Sequence, residues 1–325
     1  MMRYSLRRLL YAVPILMGVT LVTFMLFFVV NSPDDIARMQ LGDRRISSEA
    51  VAAWKASHGY DRPLLFNTNA SGLNAFTDTL FVRNLLQLFL FDFGLSDSGR
   101  DIGEDIAIRM WPSLAVAFPT LILGVGINVL VALAVVLVQG SWLDRMTQVL
   151  MVMLLSISGL FFIIAGQYAF AIALRWVPVS GYADGWYASR FVILPVLVGV
   201  ISGLGGGVRW YRNLFLEEIS KDYVRTARAK GLSEVQVLLR HLLPNGLIPI
   251  LTGVVVVLPS LFLGSLITES FFAIPGLGSY TIEALQAQDF AIVRAMVFLG
   301  SVLYLLGLLL TDLSYALVDP RVRLD

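Results

Sequence analysis

The chain has 325 residues, of which 57% are hydrophobic and only 14% charged, with a mean hydropathy of +0.78; soluble domains carry roughly 25% charged residues, so lipid is the expected solvent. It holds no cysteine and two histidines, His58 and His241, far apart in sequence, which excludes disulfides, thiolate chemistry and cysteine-held metals and argues against a histidine-rich metal site. The formal net charge of +1 says nothing about nucleic acid, and none is expected as a partner; where the charges fall matters more than their sum.

Crossing a bilayer takes about 20 apolar residues in a helix. Residues 9–30, 113–138, 149–174, 191–208, 247–268 and 295–311 qualify, and none of these stretches contains Lys, Arg, Asp or Glu. Arg3, Arg7 and Arg8 precede the first stretch and place the N-terminus in the cytoplasm. That stretch is too long for the apolar region of a signal peptide and no small-x-small site follows it, so it reads as a retained helix. A loop over 31–112 then falls outside, with Asp34, Asp35, Asp43, Glu49, Asp61 and Asp78 among its acids. Within it, 47–59 predicts a short helix with Ser48 as N-cap, Glu49 in the first turn and Gly59 as its stop.

The loop after the fourth stretch differs. Arg209, Arg212, Lys221, Arg225, Arg228, Lys230 and Arg240 outnumber Glu217, Glu218, Asp222 and Glu234. A short positive loop belongs in the cytoplasm, and counting spans from the N-terminus gives the same answer. Arg321 and Arg323 put the C-terminus there too. The fold class expected is an all-α membrane protein with six transmembrane helices, both termini cytoplasmic, a large external loop after the first helix and a cytoplasmic helical segment between the fourth and fifth. The divisions are 1–30, 31–112 and 113–325, with the cytoplasmic helices at about 213–243.

Within that cytoplasmic segment, Ala227 and Ala229 favour helix and Gly231 interrupts it. Ser233 can cap a second helix, with Glu234 and Gln236 in its first turn. Leu238, Leu239, Leu242 and Leu243 lead to Pro244, where an ordinary helix ends or kinks. Two short helices about a glycine joint result. Read from composition alone, they could equally rest on anionic headgroups.

Spacing favours a protein partner. Arg225-Thr226-Ala227, a gap, Gly231, then Leu243-Pro244 resemble the EAA-type motif of permeases of ATP-binding cassette importers. Arg225 stands where that family usually has Glu, and His241 where it has an aliphatic residue. The string DYVRTARAKGLS at 222–233 resembles the dipeptide and oligopeptide branch. Residues 3–20, 48–64, 91–96 with Ile106, Arg109 and Pro112, 269–290 and 317–323 are similar to further segments of that branch's first permease. NSPDD at 31–35 and SGLFF at 158–162 depart from its usual sequences.

The resemblance implies a bacterial inner-membrane, multi-pass subunit without catalysis or cofactor of its own. It further implies a second homologous permease, two cytoplasmic ATPases that bind ATP and Mg, and an external solute-binding protein. Asp222, Tyr223, Arg225, Thr226, Ala227, Arg228, Lys230 and Gly231 would then form the ATPase-coupling site. Glu269, Phe271, Pro275, Gly276 and Gly278 would line the pathway mouth or meet the binding protein, although an interfacial salt bridge at Glu269 and a simple turn at 275–278 are sufficient alternatives.

Other motifs weigh less. Asp92-Phe93-Gly94 spells a kinase triplet without the rest of a kinase signature. Gly203 and Gly205, Gly206 and Gly207 lack a phosphate-loop Lys and read as helix packing or a hinge. Asn128, Gln167, Thr252, Ser260 and Thr268 either bond between helices or line a pathway. The competing functions are an ion-coupled secondary transporter, which usually needs ionisable groups near the bilayer midplane, and a membrane scaffold or receptor.

Overall fold

The computed structural model describes residues 2–30, 32–42, 47–68, 72, 74–183 and 185–318. Asp43, Arg321, Arg323 and the close of the terminal motif lie outside these residues, as do the side chains of Arg3 and His58. Among the described residues every regular element is helical, and the one β-contact is an isolated bridge between Leu95 and Asp101.

Helix α1 (Met2–Val30) carries the first apolar stretch. At its polar exit Ser32 accepts from the Asp35 N–H while the Asp35 carboxylate accepts from the Ser32 N–H, a reciprocal box that starts α2 (Pro33–Leu41). Helix α3 (Ser48–His58) is capped by Ser47, whose hydroxyl accepts from Ala50 N–H, and not by Ser48. Two adjacent serines suit the role by type; the one with extended backbone (φ −66°, ψ 149°) fills it. Gly59 ends that helix as expected, in the left-handed region at φ 71°. Then follow α4 (Asn74–Thr77), α5 (Leu80–Phe89), capped by Thr79, and α6 (Ile102–Leu137). Helix α6 starts well before its apolar stretch because Glu104 and Asp105 favour its N-terminal dipole.

The third stretch is not one straight span. Helix α7 (Trp142–Ser156) and α8 (Gly159–Gly166), continued by a wide π-type segment (Gln167–Ala173), meet at 93°. Ile157 and Ser158 between them are extended. An apolar run sets burial but not straightness, so hydropathy could not register this break. Among the described residues five helices are long and apolar enough to cross a membrane, and the bent pair makes a sixth if it counts as one span.

Helix α9 (Ala188–Ile219) overruns its apolar stretch at both ends. Helices α10 (Asp222–Ala229) and α11 (Glu234–Val237) follow. A wide turn (Leu238–Leu242) joins α11 to α12 (Leu243–Val257). Pro244 therefore neither ends the helix nor stands alone in it. The wide turn places it in the first turn of α12, where its missing N–H costs least. The fifth span runs to Leu263 and stops at Gly264 (φ 67°), short of residue 268. Helices α13 (Leu266–Phe272), α14 (Leu277–Ala287) and α15 (Phe290–Val318) complete the chain.

Two compact units emerge. One comprises the residues up to Ile108 with Thr281–Leu309, the other chiefly Arg109–Tyr280. The first is centred on Phe24, Phe28, Ile36, Tyr60 and Leu80. In the second, Gly205 brings α9 backbone against α7; a Cβ there would lie 2.7 Å from Leu155 N and Met151 O. Gly207 packs on the Asn128 amide in the same way. Packing is thus the role of these two glycines, whereas a Cβ on Gly203 would meet nothing nearby.

Candidate functional site

Both short helices form where the residues require them. Gly231 sits at φ +80° with open space around its α-carbon, so backbone conformation and not crowding demands glycine there. Ser233 and Gln236 then make a capping box: the Ser233 hydroxyl accepts from Gln236 N–H, and the Gln236 side-chain oxygen accepts from Ser233 N–H. Across the joint, Arg228 forks onto Glu234 with two bonds of 2.9 Å. This clamp ties α10 to α11, and it means Arg228 is engaged within the chain.

The two helices have a buried and an exposed side. Val224, Ala227, Val237, Leu238 and Leu242 are at most 4% exposed. They pack in one cluster with Val129, Leu133 and Val136 from α6, Tyr211 and Phe215 from α9, and Ile250 from α12. On the other side Arg225 and Asp222 are 79% and 97% exposed in their side chains, with only a 3.8 Å approach between them. Lys230 is exposed as well. Thr226 turns its hydroxyl onto the Asp222 carbonyl. Tyr223 donates to Glu218 at 2.8 Å, and Glu218 also holds Lys221. Burial together with the Glu218 carboxylate pushes the Tyr223 phenol above its ordinary pKa, so it stays a donor at any physiological pH. The eight coupling candidates thus come together in one element, but Ala227 faces the core while Asp222, Arg225 and Lys230 face outward.

A second constellation lies past the far end of α12. The 30-residue helical run Glu234–Leu263, which begins with α11, ends just before it and is about 45 Å long. Glu269 is 1% exposed. Its carboxylate accepts from Ser265 N–H and Ser279 N–H, each at 3.1 Å. A Cβ on Gly264 or Gly276 would stand 1.8 or 2.3 Å from its oxygens, and one on Gly278 would press on the Ser265 backbone. Glu269, Gly276 and Gly278 therefore share one tight fold, joined by Ser113, which accepts from Leu277 N–H at 2.8 Å. Arg109 stacks 4.6 Å over the Tyr280 ring beside it. Pro275 and Gly276 make the bend, and Leu277 already begins α14. Phe271 is 44% exposed.

Glu269 also borders a cavity of 380 Å³ whose wall includes Thr120, Ser260 and Thr268. Of the other polar candidates, Thr252 is buried and bonds within its helix, Asn128 is buried against α9, and Gln167 donates to the carbonyls of Val179 and Phe271. Reading the sequence missed the Arg228–Glu234 clamp, although the six-residue spacing across a glycine was visible. It also missed Asp144, which accepts a two-bond fork from Arg212 at 3.0–3.1 Å and ties α7 to α9. That pair is 68 residues apart, and nothing local signals it. Among the described residues no cluster of His, Asp or Glu suits a metal ion.

Residues 124–324 match the family described as binding-protein-dependent transport system inner membrane component. Residues 1–81 match the N-terminal membrane component of such systems. The glutathione transport system permease proteins GsiC of Salmonella paratyphi A and Salmonella typhimurium are each 31% identical over 324 residues, covering 99% of both chains. A Brucella abortus protein, provisionally named as a peptide transport system permease, is 30% identical over 98% of both chains.

Proposed function

The chain belongs to the family of binding-protein-dependent transport system inner membrane components, and from that premise we propose what it carries and how it is driven. It is the transmembrane permease subunit of an ATP-binding cassette importer, and an ion-coupled secondary transporter is the wrong class for it. The solute is a peptide or peptide-like molecule; the support is the glutathione and peptide systems named for its relatives. A second, similar permease completes the pathway, two cytoplasmic ATPases hold ATP and Mg, and an external binding protein delivers the solute.

The α10–α11 element is the coupling site. The observation that carries this reading is its two-sidedness. Its apolar face is locked into α6, α9 and α12, while Asp222, Arg225 and Lys230 stand outward with little to hold them. Packed interiors are nearly incompressible, so a push on α10 travels to three spanning helices together. The ATPases act only through contacts that differ between inward-open and outward-open states. The exposed charges are where such contacts form, and Gly231 at φ +80° sets the turn that holds α10 against α11. The 269–278 fold, at the other end of α12, is assigned to the external mouth.

Arg225→Cys, made in a chain that has no native cysteine, tests the docking. In the reconstituted transporter it should cross-link to an ATPase subunit through a short bifunctional reagent, with a yield that changes when ATP is added. Cross-linking only to lipid, or none with the ATPase present, would count against the assignment.

A further inference from the structure

The first unit contains a polar cavity of 500 Å³, within the range of small-molecule sites. It lies between the last turn of α3 with residues 59–62, the middle of α5, the 93–99 loop and the start of α15. Three nitrogen-bearing side chains face it from two helices. Asn84 is 4% exposed, and among the described residues its Nδ2 has no acceptor. Arg294, half-buried on α15, likewise has a buried Nε with no acceptor. Arg83, next to Asn84 on α5, lays its guanidinium against Gly59, so that a Cβ there would stand 3.4 Å from Nη1.

Asp289 is near enough to attract the Arg294 charge, yet the Arg294 Nε still has no acceptor among the described residues. Asp289, five residues before Arg294, already accepts from Asp97 N–H at 2.8 Å and Ile292 N–H at 3.2 Å. Arg62, also on the cavity wall, is drawn to Asp78 at 2.6 Å. A buried donor left without an acceptor is costly, and each such group in a native fold calls for a partner. Converging guanidinium and amide donors are the pattern that recognises a planar carboxylate. Asp61 and Asp97 line the same cavity. They disfavour a dianion and suit an ammonium group carried by the same ligand.

We propose that this cavity is a binding site for the carboxylate of a small zwitterion, an amino acid or very short peptide, held by Arg83, Asn84 and Arg294. The site is separate from the coupling element and does not depend on which solute the transporter carries.

The test uses the full chain in lipid nanodiscs, with radiolabelled glycylglycine, glycylglycine amide and inorganic phosphate as probes. Glycylglycine should bind, and removing its carboxylate as the amide should weaken binding at least about tenfold, the value of one charge-assisted hydrogen bond. Arg83→Gln, at an exposed position, should weaken glycylglycine by a similar factor with the thermal unfolding midpoint of the ligand-free protein unchanged. Asn84→Asp keeps the side-chain shape but opposes the ligand's charge, and should abolish binding. The proposal is overturned if the native chain binds no glycylglycine, if the amide or phosphate binds as tightly, or if Arg83→Gln leaves affinity unchanged.

Discussion

Single residues carry the long-range ties in this chain. The Asp144–Arg212 fork has side chains 5% and 13% exposed, and Asp144 also accepts from Gly140 N–H and the Gln148 amide. Removing one member strands the other, and a broken buried pair costs about 3 kcal/mol or more. Arg212→Met should therefore lower the unfolding midpoint measured by differential scanning fluorimetry in detergent. The double variant with Asp144→Leu should recover part of that loss, and strictly additive losses would show that the two do not act as a pair. Glu269 is a similar case with a tighter cage. Gly264→Ala would drive a Cβ into the Glu269 carboxylate and add strain at φ 67°, at a cost of about 3 kcal/mol or more. A monodisperse peak with native thermal stability for this variant would contradict the cage. Glu269 could be singled out in the sequence because a lone acid after an apolar stretch stands out. Its burial could not, since the donors that satisfy it are backbone N–H groups, which every residue type shares.

At the scale of the element, α10 and α11 were largely legible in advance. Ala227, Gly231 and the Ser233–Gln236 spacing are local signals, and local signals survive folding. The side of α10 that packs inward was not, because eight residues make barely two turns and the partners of Val224 come from three distant helices. Ala227→Leu would overfill that contact and should cost about 1–3 kcal/mol in unfolding free energy, seen as a lower midpoint without any change in Arg225 accessibility. The Arg228–Glu234 clamp behaves differently. Both side chains are more than 40% exposed, so Arg228→Ala should cost less than about 1 kcal/mol of stability. It should nevertheless reduce ATP-driven uptake, because it frees one short helix from the other; unaltered uptake would assign the clamp to stability alone. The turn at Leu238–Leu242 shows where local rules fall short. Pro244 alone predicts a stop or kink, and only the wide turn before it makes continuation possible.

For the whole molecule, each apolar stretch falls on a long helix or, for the third, on a bent helix pair among the described residues, but charge and periodicity did not reveal the 93° break between α7 and α8 or how far α6 and α9 run beyond their apolar cores. Composition reports what lipid tolerates and not where backbone direction changes. Sidedness is an expectation drawn from the arginines and lysines, and it can be measured in this cysteine-free chain. A membrane-impermeant maleimide added to intact spheroplasts should label Leu65→Cys and spare Lys230→Cys, and the reverse pattern would invert the topology. Movement through the α10–α11 joint is the claim on which the rest depends. It is tested most directly by Gly231→Val in the complete transporter in proteoliposomes, with hydrolysis and solute uptake recorded together. A β-branched residue at φ +80° strains the backbone while meeting no neighbour. Uptake per ATP should fall at least about tenfold with hydrolysis and membrane insertion retained, whereas native uptake per ATP would contradict the account.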